Sequence, residues 1–187
     1  RGEVHSAVFL LPAAPISIPM PDSPTDIPRE FHSEYEERPF QSCTRCGELL
    51  AEIPGGYQIF KLYRRSEALY EYALCDPCHT GVVREFSGES KERLALFHRQ
   101  RVSLNLGRWK CCVCGNARGE EGEEEFSITG ACLGRRLVHE LMVCGACRHE
   151  MQGLLSAHTR SVWDRFVDEN LPGVPAGTIS PLELMPA

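Results

Sequence analysis

The sequence predicts a small α+β fold made of two tandem repeats preceded by an extended arm, and three observations support this prediction. Four Cys-x-x-Cys pairs account for eight of the ten cysteines, and the first pairs of the two halves lie 68 residues apart, the second pairs 69 apart. Between the two pairs of each half, apolar and polar residues alternate as in β-strands. After the second pair, apolar residues recur at helical spacing.

Length and composition are those of a globular chain with small units. The chain has 187 residues, of which 42% are hydrophobic and 25% charged. Each repeat contains only about 65 residues, and a hydrophobic core of that size stabilises a fold weakly without a metal or a disulfide. The net charge of −6 argues against a general nucleic-acid coat, which is normally basic.

Changes in composition along the chain predict its divisions. The first 30 residues carry six prolines, which indicates an extended segment that packs on the protein's own core or on a partner. The predicted units are a Pro-rich arm at 1–33, repeats at 34–106 and 107–172, and a tail at 173–187.

In the first repeat, Cys43 and Cys46 are followed by Gly47, which permits the tight turn that lets two thiolates bind one ion. Strands are predicted at Tyr57–Arg64 and Leu69–Leu74, joined by a short turn into a hairpin.

A helix is expected to follow from Cys75 to Arg101. Asp76 is a suitable N-cap and Pro77 suits the first helical position. Gly88 divides this pattern, and Ser87 or Ser90 could cap a second segment.

The second repeat follows the same order. Cys111 and Cys114 form the turn, and alternation over 126–132 and 137–143 predicts a hairpin. An apolar stripe predicts one helix over Ala146–Glu169, stopped by the Asn-Leu-Pro-Gly segment that follows. The glutamate-rich stretch at 120–125 is predicted to be a solvated loop.

The spacing predicts two metal sites with four sulfur ligands each, and both would be structural because four thiolates leave no open position. Zinc is the expected metal, with two ions per chain, and a rubredoxin-like iron site is the alternative. The predicted ligands are Cys43, Cys46, Cys75 and Cys78 in the first repeat, and Cys111, Cys114, Cys144 and Cys147 in the second.

Two cysteines fall outside this pattern. Cys112 is expected to be a partly exposed thiol, and Cys132 a small buried hydrophobic residue at the strand position that corresponds to Tyr63. His79 completes a haem-attachment pattern after Cys78. We prefer to interpret it as an exposed residue or as a hydrogen-bond donor to a thiolate, because the second repeat has Arg148 at that place.

The order of turn, hairpin and helix resembles that of treble-clef zinc fingers over about residues 40–100 and 108–168. The segment 32–38, together with Cys43-x-x-Cys46-Gly47 and Cys75-x-x-Cys78-His79, is also similar to uncharacterised bacterial tandem-finger proteins. These resemblances imply the fold and the metal but no particular activity.

We therefore expect a non-enzymatic, cytoplasmic protein without membrane insertion that acts as a protein–protein interaction or assembly module. Its partner would be an unidentified protein or a second copy. The first alternative is nucleic-acid or ribonucleoprotein binding through the basic stretch at 91–110, where Phe97 and Trp109 could stack on bases. The second alternative is rubredoxin-like electron transfer.

Overall fold

The computed structural model of the chain describes residues 25–65, 67–118 and 125–174. These residues form a small α+β fold with two antiparallel sheets and four α-helices. The strands are β1 (Thr25–Asp26), β2 (His32–Ser33), β3 (Arg38–Pro39), β4 (Tyr57–Arg64), β5 (Glu67–Cys75), β6 (Glu125–Leu133) and β7 (Arg136–Cys144). The helices are α1 (Asp76–Glu85), α2 (Gly88–Arg101), α3 (Gly145–Gln152) and α4 (Ala157–Asn170).

The two repeats share one five-stranded sheet in the order β1-β7-β6-β4-β5. The hairpins β4–β5 and β6–β7 lie side by side because β4 pairs with β6 in antiparallel register along its whole length. Neither repeat therefore has a separate sheet, and each hairpin covers one edge of the other. Within the described ranges, the second sheet consists of β2 and β3.

The register shows that the repeats are related by a pseudo-two-fold axis between β4 and β6. Tyr57 lies opposite Cys132 and Tyr63 lies opposite Phe126, and these two pairs exchange places when residues 69 apart are treated as equivalent. Both hairpins also carry a bulge at equivalent positions. It lies between Leu62 and Tyr63 in the first hairpin and between Ala131 and Cys132 in the second.

Aromatic side chains join the sheet to the helices. Tyr72 of β5 stacks on Phe60 of β4 with ring centroids 5.1 Å apart, and it contacts Trp163 and Phe166 of α4. Trp163 is only 1% exposed, so α4 of the second repeat packs deeply against the hairpin of the first. The two small repeats therefore share one hydrophobic core.

Four hydroxyl groups join the helices of the two repeats at the same axis. Ser87 caps α2 and Ser156 caps α4, and their Oγ atoms lie 2.8 Å apart. The backbone N–H of Ser87 donates to Thr159 Oγ1, and that of Ser156 donates to Ser90 Oγ. Each cap residue thus places its backbone donor on a hydroxyl of the other repeat. We call these four residues the hydroxyl junction.

The segment between β1 and β2 covers the opposite face of the sheet and breaks the internal symmetry. Phe31 is fully buried against Gly130, where even a Cβ atom would come within 2.8 Å of its ring. The equivalent position in the first repeat is Lys61, which is also fully buried. The described part of the predicted arm therefore packs on the protein's own core, and residues 1–24 lie outside the described residues.

The buried ammonium group of Lys61 is surrounded by oxygen atoms. Its Nζ donates to His32 O at 2.6 Å and to Glu34 Oε1 at 2.7 Å, and it lies 3.3 Å from Glu71 Oε2. Burial alone would lower the pKa of Lys61, but the hydrogen bond to Glu34, the Tyr63 hydroxyl and the charge of Glu71 raise it. A charged, fully bonded lysine therefore fastens the N-terminal segment to the sheet.

Two local predictions about the helices are wrong. The single helix expected over Ala146–Glu169 is divided into α3 and α4, because α3 ends at Gln152 and Ser156 caps a new helix. The residue that caps α1 is Cys75 and not Asp76, since Cys75 still pairs with Tyr57 in the sheet. The first repeat divides as expected, and Ser87 is the residue that caps α2.

Candidate metal centres

The first cysteine pair is shaped by a tight turn. The backbone N–H of Gly47 donates to Cys43 O at 2.9 Å, and Gly47 has a φ of +75°, a conformation that favours glycine. The N–H of Cys43 also donates to Glu48 O at 2.9 Å. These bonds close the chain into a knuckle that turns the side chains of Cys43 and Cys46 toward the same point.

The second pair lies where β5 becomes α1. Cys75 ends the strand, and Cys78 lies in the first turn of the helix. The knuckle is tied to β5 by the Thr44 N–H, which donates to Ala73 O, and by the Thr44 hydroxyl, which accepts from the Ala73 N–H. This places Cys75 Sγ 3.8 Å from Cys46 Sγ.

The second repeat builds the same arrangement from equivalent bonds. The N–H of Gly115 donates to Cys111 O at 2.9 Å, and Gly115 has a φ of +80°. The N–H of Cys112 donates to Met142 O, as Thr44 does to β5. Sulfur atoms of Cys114 and Cys144 lie 3.8 Å apart. Two independent stretches of sequence therefore converge on one geometry.

The spacing of the sulfur atoms fits a tetrahedral metal ion. All four Sγ atoms in each group lie within 4.8 Å of one another. A zinc ion with sulfur ligands at about 2.3 Å requires neighbouring sulfurs about 3.8 Å apart, which is the distance found in both groups for the pair that joins knuckle and strand. The eight cysteines thus form two groups that could each hold a metal ion, and their role as ligands stays a prediction.

The environment of the thiols also suits a cation. Burial raises the pKa of Cys43, but backbone N–H groups of Cys46, Cys75 and Arg45 outweigh it and lower the pKa to about 7. Burial raises the pKa of Cys147 to about 12 and also raises that of Cys78. Because these buried thiols resist ionising together, a metal ion would supply the positive charge that lets all four deprotonate.

The residues near the sulfur groups differ from expectation in two places. Cys112 is 3% exposed, so the prediction of a partly exposed thiol is wrong, because its paired backbone holds it against β7. His79 is buried at 6% exposure, which excludes its interpretation as an exposed residue. Cys132 is buried as expected, and this burial raises the pKa of its thiol to about 12, although the Tyr57 hydroxyl hydrogen-bonds to it.

The basic stretch at 91–110 is largely engaged within the protein. Three of its side chains form ion pairs: Arg93 with Glu89, Arg101 with Glu150, and Arg108 with Glu140. Phe97 is 8% exposed and therefore offers no open face to a base. Trp109 is 55% exposed, and the guanidinium groups of Arg108 and Arg118 lie 5.0 and 5.7 Å from its ring. The predicted glutamate loop lies outside the described residues except for Glu125.

The structure also contains residues that the sequence did not single out. Lys61 and Glu71 hold the N-terminal segment, and Arg148 is 2% exposed with Glu125 as its ion-pair partner at 2.8 Å. The available signal was the place of Lys61 on the inward side of an alternating strand, where a charged residue requires a buried partner.

Comparison with known protein families, with curated proteins and with solved structures found no match for this chain. Among the described residues, no helix combines the length and the apolar character needed to cross a bilayer.

Proposed function

We propose that this protein is a zinc-stabilised, non-enzymatic scaffold that binds a protein partner. The observation that carries the proposal is the pair of closed four-sulfur groups, each joining a knuckle to the start of a helix. Such groups hold small units in shape and leave the outer surfaces to act.

Zinc is proposed over iron because of where the second pair of each group lies. In rubredoxins both pairs lie in knuckles, whereas Cys75 and Cys144 here immediately precede α1 and α3. The order of knuckle, hairpin and helix supports the treble-clef interpretation of each repeat.

A structural role for the metal follows from its coordination. Four sulfurs complete a tetrahedral shell, so no position is left for water or a substrate. The buried amine of Lys61 is not a candidate nucleophile, because it is held as an ammonium ion by three oxygen atoms. These two features support a protein without catalytic activity.

A binding role is supported by large aromatic side chains that are exposed on loops beside the sheet and the second knuckle. Tyr35 is 94% exposed at the tip of the β2–β3 hairpin, and Trp109 is 55% exposed beside the second knuckle. Aromatic residues on rigid supports are typical anchors of protein interfaces. The paired Cys-x-x-Cys spacing suits a metal better than a disulfide framework, which supports a reducing compartment such as the cytoplasm.

Metal analysis of the purified protein by native mass spectrometry tests this proposal. We expect about two zinc ions per chain, as two four-thiolate groups require. Cys46→Ser and Cys114→Ser should each release one ion, and Cys132→Ala is the matched control that should retain both. A red, iron-containing protein would support the rubredoxin-like alternative in place of a zinc scaffold. A folded protein without metal would overturn the proposal.

A further inference from the structure

The outer edges of β5 and β7 are equivalent in the two repeats, but they differ in whether another strand pairs with them. On β7, Arg136 and Leu137 pair with β1, which runs antiparallel along the outer edge. The equivalent residues of β5 are Glu67 and Ala68, which precede the same bulge in the first repeat. Among the described residues, β5 pairs only with β4, so no strand covers this edge.

We propose that the outer edge of β5 at Glu67–Leu69 accepts an extended, basic segment of a partner protein, which adds a strand as β1 does on β7. This inference rests on the binding function proposed above and specifies the kind of partner. The occupied edge in the second repeat shows that the fold accepts a short antiparallel strand at this position.

The open edge is short because the rest of β5 is covered. Thr44 of the first knuckle bonds to both backbone groups of Ala73. The carboxylate of Glu71 accepts hydrogen bonds from Ser33 Oγ and from the Glu34 N–H. Thr44 therefore blocks β5 at Ala73, whereas the residues equivalent to the edge that β1 covers lie at the other end of β5, near the β4–β5 turn. A ladder this short needs side-chain contacts beside it.

Exposed apolar groups lie next to this edge. Leu69 is 37% exposed and lies at the bulge of β5, between the open edge and Glu71. Glu71 in turn holds the base of the β2–β3 hairpin, whose tip carries Tyr35. The Glu36 N–H donates to Ser33 Oγ at 3.1 Å, so the tip is pre-shaped and displays Tyr35 at little entropic cost.

The charge around the edge selects a basic partner. Glu67 on the edge and Glu37 in the β2–β3 turn are exposed and form no ion pair with the described residues. Arg38 and Arg64 are already paired with Glu36 and Glu125, and Arg65, which precedes the edge, is not free either. Lysine or arginine side chains on an incoming strand would meet these free carboxylates. A second copy is a poorer occupant, because an antiparallel β5–β5 pair brings two acidic edges together.

Selection from a phage-displayed library of random 12-residue peptides on the zinc-loaded full chain tests this inference. We expect enriched peptides to contain Lys or Arg among strand-forming residues and to shift the amide NMR signals of Glu67–Leu69. Binding should fall by about tenfold or more in Glu67→Lys and in Tyr35→Ala. Glu92→Lys, an equal charge change on the exposed side of α2, is the control and should bind normally.

Each other outcome would overturn the inference. Enriched peptides that bind the Glu67→Lys and Tyr35→Ala variants normally would place the interface elsewhere, while the scaffold function would stand. No enrichment at all, or a dimer in light scattering that Glu67→Lys dissociates, would exclude a basic partner strand. Failure of the zinc proposal is separate, because it appears in the metal content of the purified protein before any peptide is added.

Discussion

The hydroxyl junction should contribute measurably to the stability of the whole protein. Thr159 is fully buried, and its Oγ1 accepts the backbone N–H of Ser87 from the other repeat at 3.1 Å. Thr159→Val keeps the shape and the β-branched character of the side chain but removes this acceptor. The equivalent change in the first repeat is Ser90→Ala, which removes the acceptor for the Ser156 N–H.

The expected loss follows from the burial of the donors. A donor left without an acceptor costs about 1–3 kcal/mol when it is buried. Since Ser87 is only half-buried, we expect Thr159→Val to lower the free energy of unfolding by about 1–2 kcal/mol. Ser90→Ala should cost somewhat less, because alanine favours the helix by a few tenths of a kcal/mol.

Urea unfolding of the zinc-loaded protein, followed by circular dichroism, measures this loss. With a slope of about 2 kcal/mol per molar urea, the midpoint should fall by about 0.5–1 M in Thr159→Val. Ser103→Ala, at an exposed position, is the control and should change the free energy of unfolding by less than about 0.5 kcal/mol. If Thr159→Val and Ser90→Ala also change the free energy of unfolding by less than about 0.5 kcal/mol, the hydroxyl junction does not stabilise the association of the repeats.

Three further variants test other features by the same urea titration. Lys61→Met leaves the largely buried carboxylate of Glu71 without its ammonium partner, and should lower the free energy of unfolding by about 2–4 kcal/mol. Gly130→Ala places a Cβ atom 2.8 Å from the ring of Phe31 and should cost about 1–3 kcal/mol through overpacking. Arg65→Gly should raise stability by about 0.5–1 kcal/mol, because Arg65 has a φ of +58° where the second repeat has Gly134. Lys110→Met, the same substitution at an exposed position, is the control for Lys61→Met. If Lys110→Met lowers the free energy of unfolding as much as Lys61→Met does, the buried ion pair is not the cause of the loss. A destabilised Arg65→Gly, or an Arg135→Gly variant that is equally stabilised, would contradict the strain argument.

Features that depend on near neighbours in the chain were predictable from the sequence. The turn at Gly47 and the placement of Cys75 before a helix follow from local bonds between residues a few positions apart. The strand Tyr57–Arg64 was predicted with the bounds that the structure has, because it is rich in aromatic and aliphatic residues and no Gly or Pro interrupts it.

Features that depend on both repeats were less accessible. The division between α3 and α4 was missed, because the apolar stripe continues through Leu154 and Leu155 and hides the stop. The decisive signal was Ser156, which lies 69 residues after Ser87 and caps its helix in the same way. The buried state of Cys112 likewise depends on a hydrogen bond to β7, which its own neighbours in sequence do not indicate.

The sequence by itself determined the two groups of four cysteines and the order of elements in each repeat. Ligand spacing, strand patterns and helix starts each depend on residues that are only a few positions apart in the chain. Only the tertiary structure decided that β4 and β6 join the repeats into one sheet and that Phe31 and Lys61 break its symmetry. It also decided that no strand from the described ranges pairs with the outer edge of β5. The physical reason is that strand pairing joins backbone groups far apart in the chain. Backbone groups are the same in every residue, so the pairing is set by the packing of the complete fold.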